Sequence, residues 1–318
     1  MSRTFLKKQM ITAVKQAKPF LKWAGGKGQL LNQIQTYFPK ELNGKGIIKR
    51  YYEPFLGSGA VFFWVKQNCK LKEVFINEFN AEIYLCYAAI QNSVGKVIKS
   101  LRTLEKKYYS FDSVAQEELY YEIRHKYNAT RKNVDFKYSQ VKNYFNRVAS
   151  TIFLNRTCFN GLYRVNSRGD FNVPFGRYEN PTICNENNLR AVSELLRGVV
   201  ITNDDFGVVE RQIKAPSFVY FDPPYRPLNK TSSFTSYSAN EFNDSEQQRL
   251  SAVFKKLNNI NGVKLMLSNS DPKNEDKDDN FFDKLYNGFR IERLKARRMI
   301  NCDASKRSEI NEILVMNY

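Results

Sequence analysis

Ser217-Phe218-Val219-Tyr220-Phe221-Asp222-Pro223-Pro224-Tyr225 is the stretch whose reading decides the fold. Its first five residues form a largely apolar, aromatic-rich run, the pattern of a strand buried in a parallel sheet. An acid, two prolines and a tyrosine then stand where that strand reaches the carboxyl edge of the sheet. In open α/β sheets that edge is where ligands bind. The prolines fix φ and carry no N–H, so the turn is stiff and offers carbonyl oxygens as acceptors. A carboxylate and a carbonyl beside an aromatic face suit a planar amino group, held while its nitrogen attacks an electrophile.

Outward from this strand, the pattern alternates between strands and helices. Residues 47–53 read as a strand, 59–67 as a helix, 74–77 as a second strand and 81–90 as a second helix. The alternation resumes near Asn187, with a helix over 189–196 and a strand over 199–202. After the Asp-Pro-Pro-Tyr turn come a helix over 245–256 with a Ser or Asp cap, a strand over 263–267, and an edge or hairpin strand over 309–316. Such alternation predicts an α/β fold with a parallel sheet. Residues 93–148 are charged and helical instead. Between 155 and 180 the turn signals Asn160-Gly161 and Arg168-Gly169-Asp170 flank short extended pieces, predicting a β-hairpin. The expected organisation is therefore a discontinuous α/β cofactor-binding domain, residues 1–90 and 186–318, holding an inserted domain, residues 91–185.

Composition narrows the partners. Of 318 residues, 42% are hydrophobic and 14% aromatic, which excludes disorder, and a net charge of +18 calls for an anionic partner. The charge is uneven: residues 91–170 hold 15 Lys and Arg against 7 Asp and Glu, more than twice the basic excess per residue of the remainder. Concentrated in a Tyr- and Asn-rich segment, it is the footprint of a nucleic-acid surface. The five cysteines are scattered without a Cys-x-x-Cys pair, and His125 is the one histidine, so neither a zinc site, a disulfide framework nor His-based acid–base chemistry is expected. No apolar run has the length of a membrane span, and the basic segment 1–18 lacks the apolar region of a signal peptide, so a cytoplasmic protein is expected.

Two glycine clusters bear on a ligand. Glu53-Pro54-Phe55-Leu56-Gly57-Ser58-Gly59 joins a strand to a helix, and Glu78 follows just past the next strand, placed to accept hydrogen bonds from ribose hydroxyls. The dinucleotide fingerprint needs a third glycine where Phe62 stands, which favours an adenosine-type cofactor without a pyrophosphate. Lys22-Trp23-Ala24-Gly25-Gly26-Lys27-Gly28 fails as a phosphate-binding loop, because Leu21 takes the first glycine position and Gly28 replaces the Ser/Thr that would bind magnesium.

In combination these pieces are specific. Pro19-Phe20-Leu21-Lys22-Trp23-Ala24-Gly25-Gly26-Lys27, the Glu53 to Gly59 turn and Asp222-Pro223-Pro224-Tyr225, in that order, resemble the Dam-type (D12 class) DNA adenine N6-methyltransferases. Asn160-Gly161-Leu162-Tyr163-Arg164-Val165-Asn166 and Gly169-Asp170-Phe171-Asn172-Val173-Pro174-Phe175-Gly176-Arg177-Tyr178 are similar to the target-recognition hairpin of members that modify GATC. The resemblance covers the chain from Pro19 on. It implies a Rossmann-like S-adenosylmethionine-dependent methyltransferase fold with an inserted helical and β-hairpin DNA-recognition domain, and no metal. It also implies roles by position. Trp23, Lys27, Gly57, Gly59, Glu78 and Asp222 are expected at S-adenosylmethionine, Glu78 on its ribose, where several relatives carry Asp. Asp222, Pro223, Pro224 and Tyr225 are expected to hold the target adenine, flipped from the duplex and stacked on Tyr225. Arg164 is expected to read a guanine, with Lys22, Asn160, Leu162, Pro174 and Tyr178 completing the contact to double-stranded DNA. Tyr163 earns no role. The polar loop 226–243 is expected to close over the base, and a restriction endonuclease acting on the same site is an implied partner. Two alternatives stay open: a methyltransferase acting on RNA or protein amides, and a catalytically silent DNA-binding protein.

Overall fold

The computed structural model describes residues 16–23, 25–42, 47–136, 144–226, 242–297 and 309–318. Seven strands run through it: β1 (Arg50–Glu53), β2 (Glu73–Asn77), β3 (Val199–Thr202), β4 (Ser217–Phe221), β5 (Val263–Ser270), β6 (Arg290–Arg297) and β7 (Glu309–Met316). They form one sheet in the order β3-β2-β1-β4-β5-β7-β6. β1 to β5 are mutually parallel, whereas β7 lies antiparallel between β5 and β6. The mixed α/β expectation is met, with an antiparallel hairpin at one end.

All five residues of β4 are buried. Period-two alternation sorts their side chains, as it does those of β1: Tyr51, Phe218 and Tyr220 enter one core cluster, and Tyr52, Val219 and Phe221 another. A strand in the middle of a sheet covered on both faces must be apolar throughout, which is why this stretch announced the fold.

Nine α-helices of differing length connect and cover the strands among the described residues: α1 (Leu31–Ile34), α2 (Ala60–Asn68), α3 (Ala81–Tyr109), α4 (Ser113–Ala129), α5 (Phe145–Thr157), α6 (Glu186–Leu195), α7 (Val208–Gln212), α8 (Asp244–Asn258) and α9 (Phe281–Leu285). α3 begins where the Asn80 side chain accepts the N–H groups of Glu82 and Ile83, satisfying two donors that a bare helix start would leave open. It bends at Ser93 and continues to Tyr109, well past the expected end at residue 90. Its second half joins α4 and α5 in the larger core cluster. A buried ion pair ties this bundle together: Arg147 of α5 donates through Nε and Nη2 to both oxygens of the Glu82 carboxylate of α3, and through Nη1 to the Tyr127 carbonyl of α4.

Three further expectations are adjusted. The cap of α8 is Asn243, whose side chain accepts the Glu246 N–H, rather than a Ser or Asp. The strand read over 263–267 extends to Ser270 because β7 pairs with its second half. β6 was not anticipated. The hairpin expected between 155 and 180 starts later, since α5 runs on to Thr157. It consists of two antiparallel bridges, Cys158 to Phe175 and Val165 to Phe171, and a turn in which the Gly169 N–H donates to the Asn166 carbonyl.

Candidate active site

The order of the sheet places β1 beside β4, and from this pair the chain winds outward in opposite directions. Parallel strands at such a switch point leave a crevice beyond their carboxyl ends. The register Tyr51 to Phe218 and Tyr52 to Val219 brings the turns after Glu53 and Phe221 out at the same edge.

Asp222 leaves β4 into this crevice. Its Oδ1 lies 2.6 Å from Lys27 Nζ and accepts the Ser268 hydroxyl at 3.0 Å. Among the described residues both of these partners engage Oδ1, which leaves Oδ2 facing no protein donor. Ser268, on β5, is in turn hydrogen-bonded to Tyr220 at 2.9 Å, so the carboxylate is held by two neighbouring strands. The proline turn is fixed from the other side: Gln247 of α8 donates to the Pro224 carbonyl at 3.2 Å, and Asn269 donates to Gln247 at 3.1 Å.

Lys27 is 3% exposed and surrounded by acceptors. It donates to the Gly25 carbonyl at 3.1 Å, stands 4.5 Å from the centre of the Tyr225 ring, and is 3.9 Å from Glu312 Oε2. Tyr225 donates its hydroxyl to the same Glu312 oxygen at 2.5 Å. A buried ammonium is tolerable only when paired, and here two carboxylates and a π-face share it.

The glycine turn after β1 forms the neighbouring wall. Gly57 and Gly59 both have positive φ, +51° and +72°. A Cβ on Gly57 would lie 3.1 Å from the Trp23 indole, and one on Gly59 would lie 2.9 Å from the Tyr87 hydroxyl. Glycine is therefore required twice over, by conformation and by space. Glu78, past the end of β2, accepts the Gly57 and Asn80 N–H groups, each at 2.8 Å. Burial pushes its pKa up to about 7 although the two N–H donors pull it down. Glu53 is buried deeper, and accepts the Tyr51 hydroxyl at 2.5 Å. Burial above all, with the Asp222 charge adding to it, raises its pKa well above the usual carboxylate range.

The candidate DNA contacts gather at the base of the hairpin. Asn155 grips Lys22 on both backbone groups at 2.8 Å and also donates to the Gly161 carbonyl at 3.0 Å. Lys22 Nζ lies 4.6 Å over the Tyr178 ring. Asn160 and Pro174 are exposed, while Leu162 and Tyr178 are half-buried beside them. Arg164 stands farther along the hairpin, its Nε donating to the Asn172 side chain at 2.8 Å. Tyr163, to which the sequence assigned no role, is buried and stacks on Trp23 with ring centres 5.7 Å apart. This pair joins the hairpin to the glycine turn. Of the loop expected over 226–243, residues 227–241 lie outside the described residues.

The sequence reading missed Glu312, Ser268, Gln247 and Asn155. Glu312 had a signal: it interrupts the apolar side of β7. The others are ordinary polar residues whose partners are far away in the chain. The expected cofactor, catalytic and hairpin groups adjoin one another; Lys27, expected beside the cofactor, contacts Asp222 and Tyr225.

Comparison with known proteins identifies the family. The sequence pattern of the D12 class N6 adenine-specific DNA methyltransferase family matches residues 23–300. The Type II methyltransferase M.MjaIII of Methanocaldococcus jannaschii is 50% identical over 95% of this chain and 100% of its own length. The Type II methyltransferase M1.LlaDCHI of Lactococcus lactis is 36% identical over 95% of each chain. A DNA adenine methylase of Haemophilus influenzae is 30% identical over 98% of this chain and 97% of its own.

Proposed function

The chain belongs to the D12 class of N6 adenine-specific DNA methyltransferases, and on that premise we propose that it methylates one adenine, flipped out of duplex DNA, within GATC. The readings as an RNA or protein-amide methyltransferase and as a silent DNA-binding protein fall with that membership. The methyl donor of this family is S-adenosylmethionine, which supplies an electrophilic methyl group when bound. The residues here fit it: a carboxyl group at Glu78 whose ionised form accepts from ribose hydroxyls, an indole at Trp23, and a glycine turn whose missing Cβ atoms leave room for close approach. Residues 91–185 are proposed as the recognition unit and 1–90 with 186–318 as the catalytic one.

Asp222 carries the chemistry in this reading. The adenine amine is a poor nucleophile because its lone pair is delocalised into the ring. Asp222 Oδ2 and the Pro223 carbonyl accept its two hydrogens, which favours a pyramidal nitrogen with an available lone pair. As N6 gains positive charge on methyl transfer, the carboxylate stabilises it. Lys27 and Ser268 hold Oδ1, so the carboxylate is already oriented, and preorganised dipoles cost nothing at the moment of reaction. Tyr225 supplies the stacking face for the extruded base, and unstacking costs a few kcal/mol.

Recognition is assigned to the hairpin. Arg164, steadied by Asn172, is suited to a guanine edge, while Lys22, Asn160, Leu162, Pro174 and Tyr178 frame the adjoining contact. GATC follows from the likeness of this hairpin to those of GATC-modifying members. The names of the relatives M.MjaIII and M1.LlaDCHI as Type II methyltransferases support a place beside a restriction endonuclease of the same specificity. The single observation that carries the reading is the Asp222 carboxylate anchored through one oxygen at the switch point. The test is incorporation of tritiated methyl into duplexes with and without GATC. Equal labelling of the two duplexes overturns the GATC assignment, and absence of label from adenine N6 overturns the whole reading.

A further inference from the structure

Glu312 is a carboxylate on the apolar side of β7, a strand paired on both sides. It shares its side of β7 with Ile310, Leu314 and Met316, which belong to or pack on the larger core cluster, and its side chain is 13% exposed. Burial raises its pKa, so the site costs stability. Expense of this kind, met by specific partners at a cleft, marks a residue kept for work rather than packing. Its partners are both in the crevice: Oε2 accepts the Tyr225 hydroxyl at 2.5 Å and lies 3.9 Å from Lys27 Nζ.

The backbone of Glu312 is rigid. It stands opposite Ser270 of β5 and Leu294 of β6, hydrogen-bonded strands on either side. The backbone on either side of Tyr225 is held, Gln247 donating to the Pro224 carbonyl and Ser270 to the Arg226 carbonyl at 3.3 Å, but its side chain is only half-buried. A tyrosine ring, free to turn about its Cα–Cβ and Cβ–Cγ bonds, can swing away from the cleft unless its far end is tied. The hydrogen bond to Glu312 ties that far end. Lys27 under the ring fixes which way the face points, and the Glu312 charge helps to keep Lys27 there.

We infer that Glu312 is a positioning residue for the reaction: by anchoring the Tyr225 hydroxyl to the sheet, it presets the ring as the platform on which the extruded adenine is caught beside Asp222. The assignment rests on the base-flipping reading above. It predicts that Glu312 acts through the Tyr225 hydroxyl and through no contact of its own with DNA or with the methyl donor.

The experiment compares wild type with Glu312→Ala, Glu312→Gln, Tyr225→Phe and the double variant Tyr225→Phe/Glu312→Ala. The DNA probe is a duplex carrying 2-aminopurine at the target position, with a non-transferring analogue of the methyl donor present; single-turnover transfer is followed separately on unmodified duplex. Loss of a hydrogen bond to a charged group corresponds to a roughly 10- to 100-fold effect. Glu312→Ala is therefore expected to lower the extrusion signal and the single-turnover rate by about that factor, with duplex affinity within about three-fold. Glu312→Gln, which keeps the acceptor oxygen, is expected to restore most of the loss. The double variant is expected to behave like Glu312→Ala alone, because both changes remove one bond. Additive losses, a Gln variant as impaired as Ala, or a Glu312→Ala enzyme with wild-type extrusion and rate overturns the assignment. Should Glu312→Ala not fold, Glu312→Gln and Tyr225→Phe still decide: a Phe variant with wild-type rate overturns it. A wild type that gives no extrusion signal overturns the base-flipping reading and this assignment together; a wild type that extrudes normally confines any failure to Glu312.

Discussion

Replacing Asp222 by Asn removes one charge and keeps the shape of the side chain, so its consequences can be worked from the contacts. Oδ1 still accepts the Ser268 hydroxyl, but the amide can now present N–H groups where Oδ2 is proposed to accept an adenine hydrogen. A charge-assisted hydrogen bond contributes about 1.5–3 kcal/mol, and stabilisation of charge developing in a transition state by a preorganised group about 2.7–4 kcal/mol. At about 1.4 kcal/mol per decade, the two together lower the single-turnover rate by roughly 10³- to 10⁵-fold. Stability responds differently. Breaking a buried ion pair from one side costs about 3–5 kcal/mol, but Glu312, 3.9 Å from Lys27, retains part of the pairing, so a loss of about 1–3 kcal/mol is expected. Adding Lys27→Met to Asp222→Asn leaves the buried Glu312 carboxylate without its cation, so the double variant should regain neither the stability nor the rate. Rapid-quench transfer of tritiated methyl, fluorescence anisotropy for DNA affinity and thermal denaturation separate the three effects. An Asp222→Asn enzyme within about ten-fold of the wild-type rate, with folding intact, would refute the amine-holding role, since that is below even the combined lower bounds above.

Three other perturbations follow from the geometry. Glu78 carries a pKa raised from 4.5 to about 7 by burial, so in the folded protein it binds a proton that the unfolded chain has already lost between these values; its ionisation makes stability fall as pH rises from about 4.5 to about 7. Ribose hydroxyls donate best to the ionised form, so methyl-donor affinity measured by titration calorimetry should rise with pH up to about 7 and level off above, and Glu78→Gln should flatten that profile. Arg164→Ala should reduce discrimination at one base pair by about 1–3 kcal/mol in a competition assay among single-substituted duplexes, and Arg164→Lys should fail to restore it because a point charge cannot replace a planar fork. Gly59→Ala places a Cβ 2.9 Å from the Tyr87 hydroxyl at a φ of +72°, and should lower stability by about 1–3 kcal/mol and weaken donor binding, both visible by melting with and without donor.

Local rules carried much of the sequence reading. The β4 run, the glycine turn and the amphipathic segment of α8 are each decided by periodicity or by a residue with restricted φ, and each stands where those rules put it. β6 escaped because an exposed edge strand is free to be charged, and Arg290, Glu292, Arg293, Lys295 and Arg297 hide its alternation. α3 outran its expected end because the bend at Ser93 is absorbed by packing on α5 and α6, which no window of α3 contains. The Asn243 cap was missed for a smaller reason: Asn, Asp and Ser are nearly equal as caps, and Asn243, Asp244 and Ser245 are adjacent.

By itself, the sequence determined the α/β class, the acceptor turn at Asp222 and the glycine turn near Gly57, because backbone freedom and side-chain period are properties of neighbouring residues. Tertiary structure decided the pairing of Lys27 with Asp222, the anchoring of Tyr225 on Glu312 and the stacking of Tyr163 on Trp23. These contacts join segments distant in the chain, and they exist only because strand order and register bring β1, β4, β5 and β7 to one edge. Which carboxylate meets which cation there is set by the packing of the whole sheet, and no local pattern encodes it.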